Sequence, residues 1–308
     1  MPKEPGSIHL KANFIMFPKI ILALIAFQIV LLLPADITNL SNKKISDQLY
    51  ELSFNTSNLE KPEFAYVIVP ANYERDNRLF PAVYLLHGWL GNYKIWYEKN
   101  GTDLKRLSNL YNLIIVMPDG GFAGWYIDSP IKKSSNYEST IANDVVQAID
   151  QSFNTFKLSS KRAITGLSMG GYGAFRIGFK YPETFGNIGS MSGGLELIAA
   201  GEADPEAERY FNIDSVLSSD SSKWTDYDLN GVLDNAKKSK QSIIFDCGVN
   251  DIFIKINRNF HAEMLKMQIP HDYTERPGIH DWAYWDNSID YQMLFFSKHF
   301  SSASLRIK

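Results

Sequence analysis

Gly166-Leu167-Ser168-Met169-Gly170-Gly171 carries more structural information than any other part of this chain. It follows the apolar run Arg162-Ala163-Ile164-Thr165 and opens a helical pattern from Tyr172 to Gly178. A strand, a Gly-x-Ser-x-Gly turn and a helix make a nucleophile elbow. Such a turn holds its serine in a strained backbone conformation. Side chains two positions to either side would collide with it, so both positions are glycine. The strain presents the Ser168 hydroxyl beyond the carboxyl end of the strand, where a base can reach it.

An elbow needs an oxyanion loop upstream, then an acid and a histidine downstream. Upstream, Ala82-Val83-Tyr84-Leu85-Leu86-His87-Gly88 is an apolar strand emptying into a loop. Its position assigns the oxyanion to the backbone N–H groups of Trp89 and Met169, which are fixed in place before reaction begins. His87 is badly placed for a base and is expected to hold the loop. Downstream, Ser242 to Gly248 is another buried run, and Asp251 lies in the loop after it. Asp251 is the expected acid, with Asp246 and Asp281 as alternatives. Of the six histidines, only His280 falls in a loop after the last strand pattern, so it is the expected base.

The rest of the chain alternates in the same way. Parallel strands are predicted at 82–87, 113–117, 162–167, 187–191, 242–247 and 272–275, after two antiparallel edge strands at 48–54 and 64–69. Helical patterns lie near 103–110, 139–153, 169–180, 257–267 and 285–299. Alternation of this kind gives an α/β fold, a mostly parallel sheet with helices on both faces. Ligands of such sheets bind beyond the carboxyl ends of the strands, where Ser168, Asp251 and His280 all fall. Ala203 to Lys238 is polar and acidic without a period and is expected to be an insertion over the site.

Composition limits the alternatives. With 45% hydrophobic residues in 308, the chain can bury a large single core. A net charge of −3 without a basic stripe argues against nucleic acid as a partner. The single cysteine, Cys247, excludes an internal disulfide and is expected to be a small core residue. No Cys/His cluster has zinc spacing and no phosphate loop is present, so neither metal nor organic cofactor is implied. Lys11 and Lys19 precede an apolar run at 20–33 that Pro34 ends. Residues 1–35 therefore read as a signal peptide or membrane anchor, 36–47 as a polar linker, and 48–308 as the catalytic domain. A secreted or periplasmic protein is expected, with membrane attachment through residues 20–33 as the variant.

Seven blocks occur in order: Tyr84-Leu85-Leu86-His87-Gly88, Met117-Pro118-Asp119-Gly120-Gly121, Trp125-Tyr126-Ile127-Asp128, Tyr137-Glu138, the elbow, Gly248-Val249-Asn250-Asp251, and Pro277-Gly278-Ile279-His280-Asp281-Trp282. With them the chain resembles the putative esterase (esterase D-like) family of α/β-hydrolases. That family includes tributyrin, feruloyl and acetyl xylan esterases, S-formylglutathione hydrolases and mycolyltransferases. The resemblance implies a serine carboxylesterase whose nucleophile, acid and base are Ser168, Asp251 and His280, with oxyanion donors at Trp89 and Met169. The run from Trp125 to Pro130 and Tyr137-Glu138 look most like secreted bacterial esterases.

Aromatic residues crowd the predicted mouth. Trp125, Tyr126, Trp282 and Trp285 are expected to form a stacking wall for a planar acyl group or a sugar ring. The expected substrate is a short-chain or aromatic ester, or an acylated carbohydrate. Acyl transfer, thioester hydrolysis of the S-formylglutathione type and non-catalytic binding are the alternatives. A full Ser-Asp-His set argues against the last, and the export-like N-terminus against the thioester.

Overall fold

A computed structural model describes Met1, residues 37–202 and residues 210–302. The apolar run at 20–33 and part of the expected insertion, 203–209, lie outside the described residues. Among the described residues, no helix is long and apolar enough to cross a membrane.

Nine strands form one sheet among the described residues, in the order β1-β2-β3-β5-β4-β6-β7-β8-β9. β1 (Thr38–Ser46), β2 (Leu49–Asn55) and β3 (Glu63–Ile68) run antiparallel, and β3 pairs antiparallel with β5 (Ile114–Pro118). From β5 onward the sheet is parallel through β4 (Ala82–Leu86), β6 (Arg162–Gly166), β7 (Asn187–Met191), β8 (Ser242–Gly248) and β9 (Asp272–Arg276).

The central strands are apolar in both directions because both faces are covered. On β4, Tyr84 and Leu86 join one core cluster, whereas Val83 and Leu85 join the other. The second cluster is closed by α1 (Ile95–Tyr111) and α8 (Trp282–Ser302). The first is closed by the π turn that follows α2 (Tyr137–Ser139) and leads into α3 (Val146–Ser152), and by α3, α4 (Met169–Lys180), α5 (Leu197–Glu202), α6 (Leu233–Ser239) and α7 (Ile254–Lys266).

Residues 38–46, expected to be linker, form the edge strand β1 and so join the catalytic domain. β1 is held by main-chain pairing with β2 and is exposed at eight of its nine positions, so it carries no apolar alternation. Helix α1 starts at Ile95 rather than near 103, continuing through a non-helical Asn100 that breaks the pattern. The segment between β7 and β8 is also less polar in structure than in sequence. Its described part is built of α5, 3₁₀ turns and α6, and it buries Ile213, Leu217, Trp224, Leu229 and Leu233.

Candidate active site

The elbow follows β6 as the sequence requires. Ser168 adopts φ 55° and ψ −119°, and its N–H donates to the Met191 carbonyl at 2.9 Å. A β-carbon at Gly170 would lie 2.6 Å from the Leu86 and His87 carbonyl oxygens, and one at Gly166 would lie 2.7 Å from Gly170. Only glycine lets the turn close against β4. The strained φ/ψ of Ser168, a conformation costing about 1–3 kcal/mol, is held by those neighbours.

Three side chains from three loops converge there. Ser168 Oγ lies 2.9 Å from His280 Nε2. His280 Nδ1 lies 3.0 Å from both carboxylate oxygens of Asp251. Asp251 is buried and also accepts the Phe253 N–H at 2.8 Å. The Asp251 and His280 loops are laced together: the Val249 N–H donates to Arg276 and the Asn250 N–H to Gly278. A β-carbon at Gly248 would lie 2.5 Å from the Gly278 carbonyl oxygen, so this contact also demands glycine.

Aromatic packing fixes the plane of His280. Phe253 and Trp285 each approach it edge-on at a centroid distance of 4.9 Å. Trp282 packs on Trp285 at 5.4 Å and on Trp96 at 5.2 Å, carrying the contact down to the sheet. Such pairs are each worth roughly 0.5–1.5 kcal/mol beyond their burial.

A cleft of about 460 Å³ opens on Ser168 and His280, walled by Trp89, Leu90, Ile95, Leu167, Trp282 and Trp285. Met169 is the first residue of α4, where helix N–H groups lack intrahelical acceptors. Trp89 sits in the loop after β4, and its indole N–H donates to Asn212 Oδ1 at 3.1 Å. The segment between β7 and β8 thereby reaches the loop beside the cleft.

A family match decides the classification. The family described as "Putative esterase" covers residues 56–296. The chain belongs to this esterase family. It is a carboxylic ester hydrolase. An acetyl esterase of Caldicellulosiruptor saccharolyticus is 28% identical over 271 residues, spanning 81% of this chain and 98% of that one. Among solved structures, the fluorophosphonate-binding serine hydrolase F of Staphylococcus aureus superposes with a TM-score of 0.70 at 22% identity, covering 80% of this chain and 97% of that one. An S-formylglutathione hydrolase of the same organism gives 0.67 at 21% identity, covering 84% and 100%. At such identities these two structures show the shared fold.

The esterase departs from the sequence reading in its aromatic wall. Trp282 and Trp285 line the cleft, but Trp125 and Tyr126 do not. Both are buried in the core, at 1% and 0% exposure. Tyr126 lies against Gly173 of α4 and donates its hydroxyl to the His87 carbonyl at 3.1 Å, and Trp125 packs on Tyr172 at 5.6 Å. The backbone turns them inward, with φ of 50° and 55°, and sequence order alone carries no sign of that turn. Conversely, Leu90 and Ile95 of the cleft and Phe253 against His280 escaped the reading. Their signal was only proximity, since each lies within a few residues of a site residue.

The remaining ionisable candidates have other partners. His87 accepts the Gly120 N–H at Nε2, 2.8 Å, so its Nδ1 carries the proton and donates to the Gly88 carbonyl. That ties the β4 loop to the β5 loop. Asp281 accepts the Tyr284 N–H at 3.0 Å and caps α8. Asp246 is buried beneath α8, where its carboxylate is taken up by Tyr284, Ser288 and Gln292 of that helix. Burial, reinforced by the Asp251 carboxylate, pushes the Cys247 thiol up, so it stays protonated and inert.

Proposed function

We propose that the esterase is a serine carboxylesterase working through Ser168, His280 and Asp251. The observation that carries this reading is the pair of contacts made by one imidazole, Nε2 to Ser168 and Nδ1 to Asp251. His280 Nε2 takes the Ser168 proton as Oγ attacks the ester carbonyl. Asp251 holds the Nδ1 proton in place and stabilises the imidazolium. The N–H groups of Trp89 and Met169 receive the oxyanion of the tetrahedral intermediate, a role in which one donor is worth roughly a hundredfold or more. Collapse breaks the C–O bond, and His280 returns its proton to the departing alcohol. Water then enters, gives its proton to His280 and attacks the acyl-serine. The second collapse releases the acid and restores Ser168.

The cleft volume suits a small ester. Its wall of Trp89, Trp282 and Trp285 favours a short or aromatic acyl group over a long aliphatic chain, and favours a sugar-like alcohol by stacking. The acetyl esterase relative supports a short acyl group. The basic-flanked apolar run at 20–33 supports action outside the cytoplasm, after cleavage or while anchored.

Turnover of a p-nitrophenyl chain-length series, acetylated xylan, methyl ferulate and S-formylglutathione tests the substrate. Highest kcat/KM on acetyl, butyryl or feruloyl esters is expected. A maximum at about ten carbons would contradict it, since each buried methylene would then be adding roughly 0.8 kcal/mol. A strong preference for S-formylglutathione would replace it with thioester hydrolysis. Cell fractionation tests the location: the periplasm, medium or membrane is expected, and a cytosolic protein with an intact N-terminus would overturn it.

A further inference from the structure

Asp246 is 1% exposed and lies on β8, five residues before Asp251. Its carboxylate accepts from Tyr284 Oη at 2.9 Å, from Ser288 Oγ at 2.6 and 2.7 Å, and from Gln292 Nε2 at 3.0 Å. Arg276 Nη2 stands 2.9 Å from Oδ1 as an ion pair.

The positions of two of these partners matter. Arg276 ends β9 and precedes His280 by four residues; Tyr284 lies in the first turn of α8 and follows it by four. Both ends of the loop that carries His280 therefore meet at one carboxylate. They also touch each other, because the Arg276 guanidinium lies 5.3 Å from the centre of the Tyr284 ring. The main chain of Asp246 extends the connection. Asp246 stands opposite Met191 in the β7–β8 ladder, and Met191 accepts the Ser168 N–H. The Asp246 carbonyl accepts the Ser192 N–H at 2.8 Å.

We propose that Asp246 is a positioning residue for the Ser168–His280 pair: it clamps both ends of the His280 loop and references them to the strand edge that holds the nucleophile. The inference rests on the catalytic reading of Ser168, Asp251 and His280 given above. A carboxylate is required because it offers about four acceptor sites to three side-chain donors, Tyr284, Ser288 and Gln292, while its charge balances the Arg276 guanidinium. Asparagine would offer about two and would remove the counter-charge of Arg276. The loop ends would then relax, and a shift of about 1 Å at the reacting groups is enough to lose on the order of a hundredfold in rate.

Asp246→Asn and Tyr284→Phe are the test, with Ser168→Ala and Asp150→Asn as references. Asp150 pairs with Arg162 at the opposite end of β6 from the elbow and accepts from Thr155 Oγ1, so its variant measures loss of a partly buried charged network remote from the site. The readouts are kcat and KM on p-nitrophenyl acetate, the rate of Ser168 phosphonylation by a fluorophosphonate, and the low-field proton resonance of His280 Nδ1–H.

For Asp246→Asn we expect kcat and the phosphonylation rate to fall together, roughly tenfold to a hundredfold, with KM within about twofold and the resonance weakened or shifted. Tyr284→Phe should move in the same direction by less, and it decides the matter if Asp246→Asn does not fold. Asp150→Asn should lower the melting temperature and leave kcat unchanged. Folded Asp246→Asn and Tyr284→Phe variants with wild-type kcat, phosphonylation rate and resonance would reduce Asp246 to a structural residue and overturn the proposal. A separate failure is recognisable: activity surviving in Ser168→Ala would remove the catalytic reading and the inference with it.

Discussion

His280 Nδ1 stands equidistant, at 3.0 Å, from the two carboxylate oxygens of Asp251. That contact leaves Nε2 as the acceptor toward Ser168, which is the tautomer a general base needs. Asp251→Asn preserves the shape but can donate to Nδ1 and stabilise the wrong tautomer. It should lower kcat by roughly four orders of magnitude. His280→Ala should lose about as much, and the double variant little more, because the groups act as a unit. Additive losses in a steady-state double-mutant cycle would contradict this.

Trp125 and Trp282 should separate stability from binding. Trp125 is a core residue, so Trp125→Ala should destabilise the fold by about 3–5 kcal/mol. Trp282 is half-buried on the cleft wall, so Trp282→Ala should raise KM for aromatic esters more than for acetyl esters. Urea unfolding and paired steady-state kinetics read the two effects. An unchanged KM ratio for Trp282→Ala would remove that residue from acyl selection.

Glu63 predicts a pH dependence of stability. It is 2% exposed, and its Oε1 accepts the Asp119 N–H at 3.0 Å. Burial first, and then the Asp119 carboxylate, hold its carboxyl well above the usual range. The folded chain therefore keeps a proton that the unfolded chain releases above about pH 4.3. This contribution is fully present below that pH and is lost as pH rises toward the folded-state value. Glu63→Gln keeps an acceptor oxygen and does not titrate. Its stability relative to wild type should rise as pH increases from about 5 toward the folded-state value, read by urea unfolding. A difference that stays flat over this range would show that Glu63 releases its proton in the fold as it does in the unfolded chain.

Much of this site was visible in the sequence because chemistry and backbone geometry both constrain it. Gly166 and Gly170 leave no alternative at the elbow, and a base that must follow the last strand leaves His280. Side-chain direction was less visible. Trp125 and Tyr126 stand next to polar, Gly-rich sequence, and only their positive φ turns them into the core. β1 was hidden for the opposite reason. Its residues face solvent on both sides, and main-chain hydrogen bonds leave no mark on composition. Asp246 was legible as an alternative acid, but its partners come from β9 and from three successive turns of α8, which no local pattern connects.

Ser168 Oγ is the proposed nucleophile. Incubation with a fluorophosphonate followed by peptide mass spectrometry measures this directly. One adduct per chain is expected, on Ser168, forming at the same rate as hydrolysis of p-nitrophenyl acetate disappears, with neither adduct nor hydrolysis in folded Ser168→Ala. An adduct on another residue, or near-normal hydrolysis by Ser168→Ala, would contradict it.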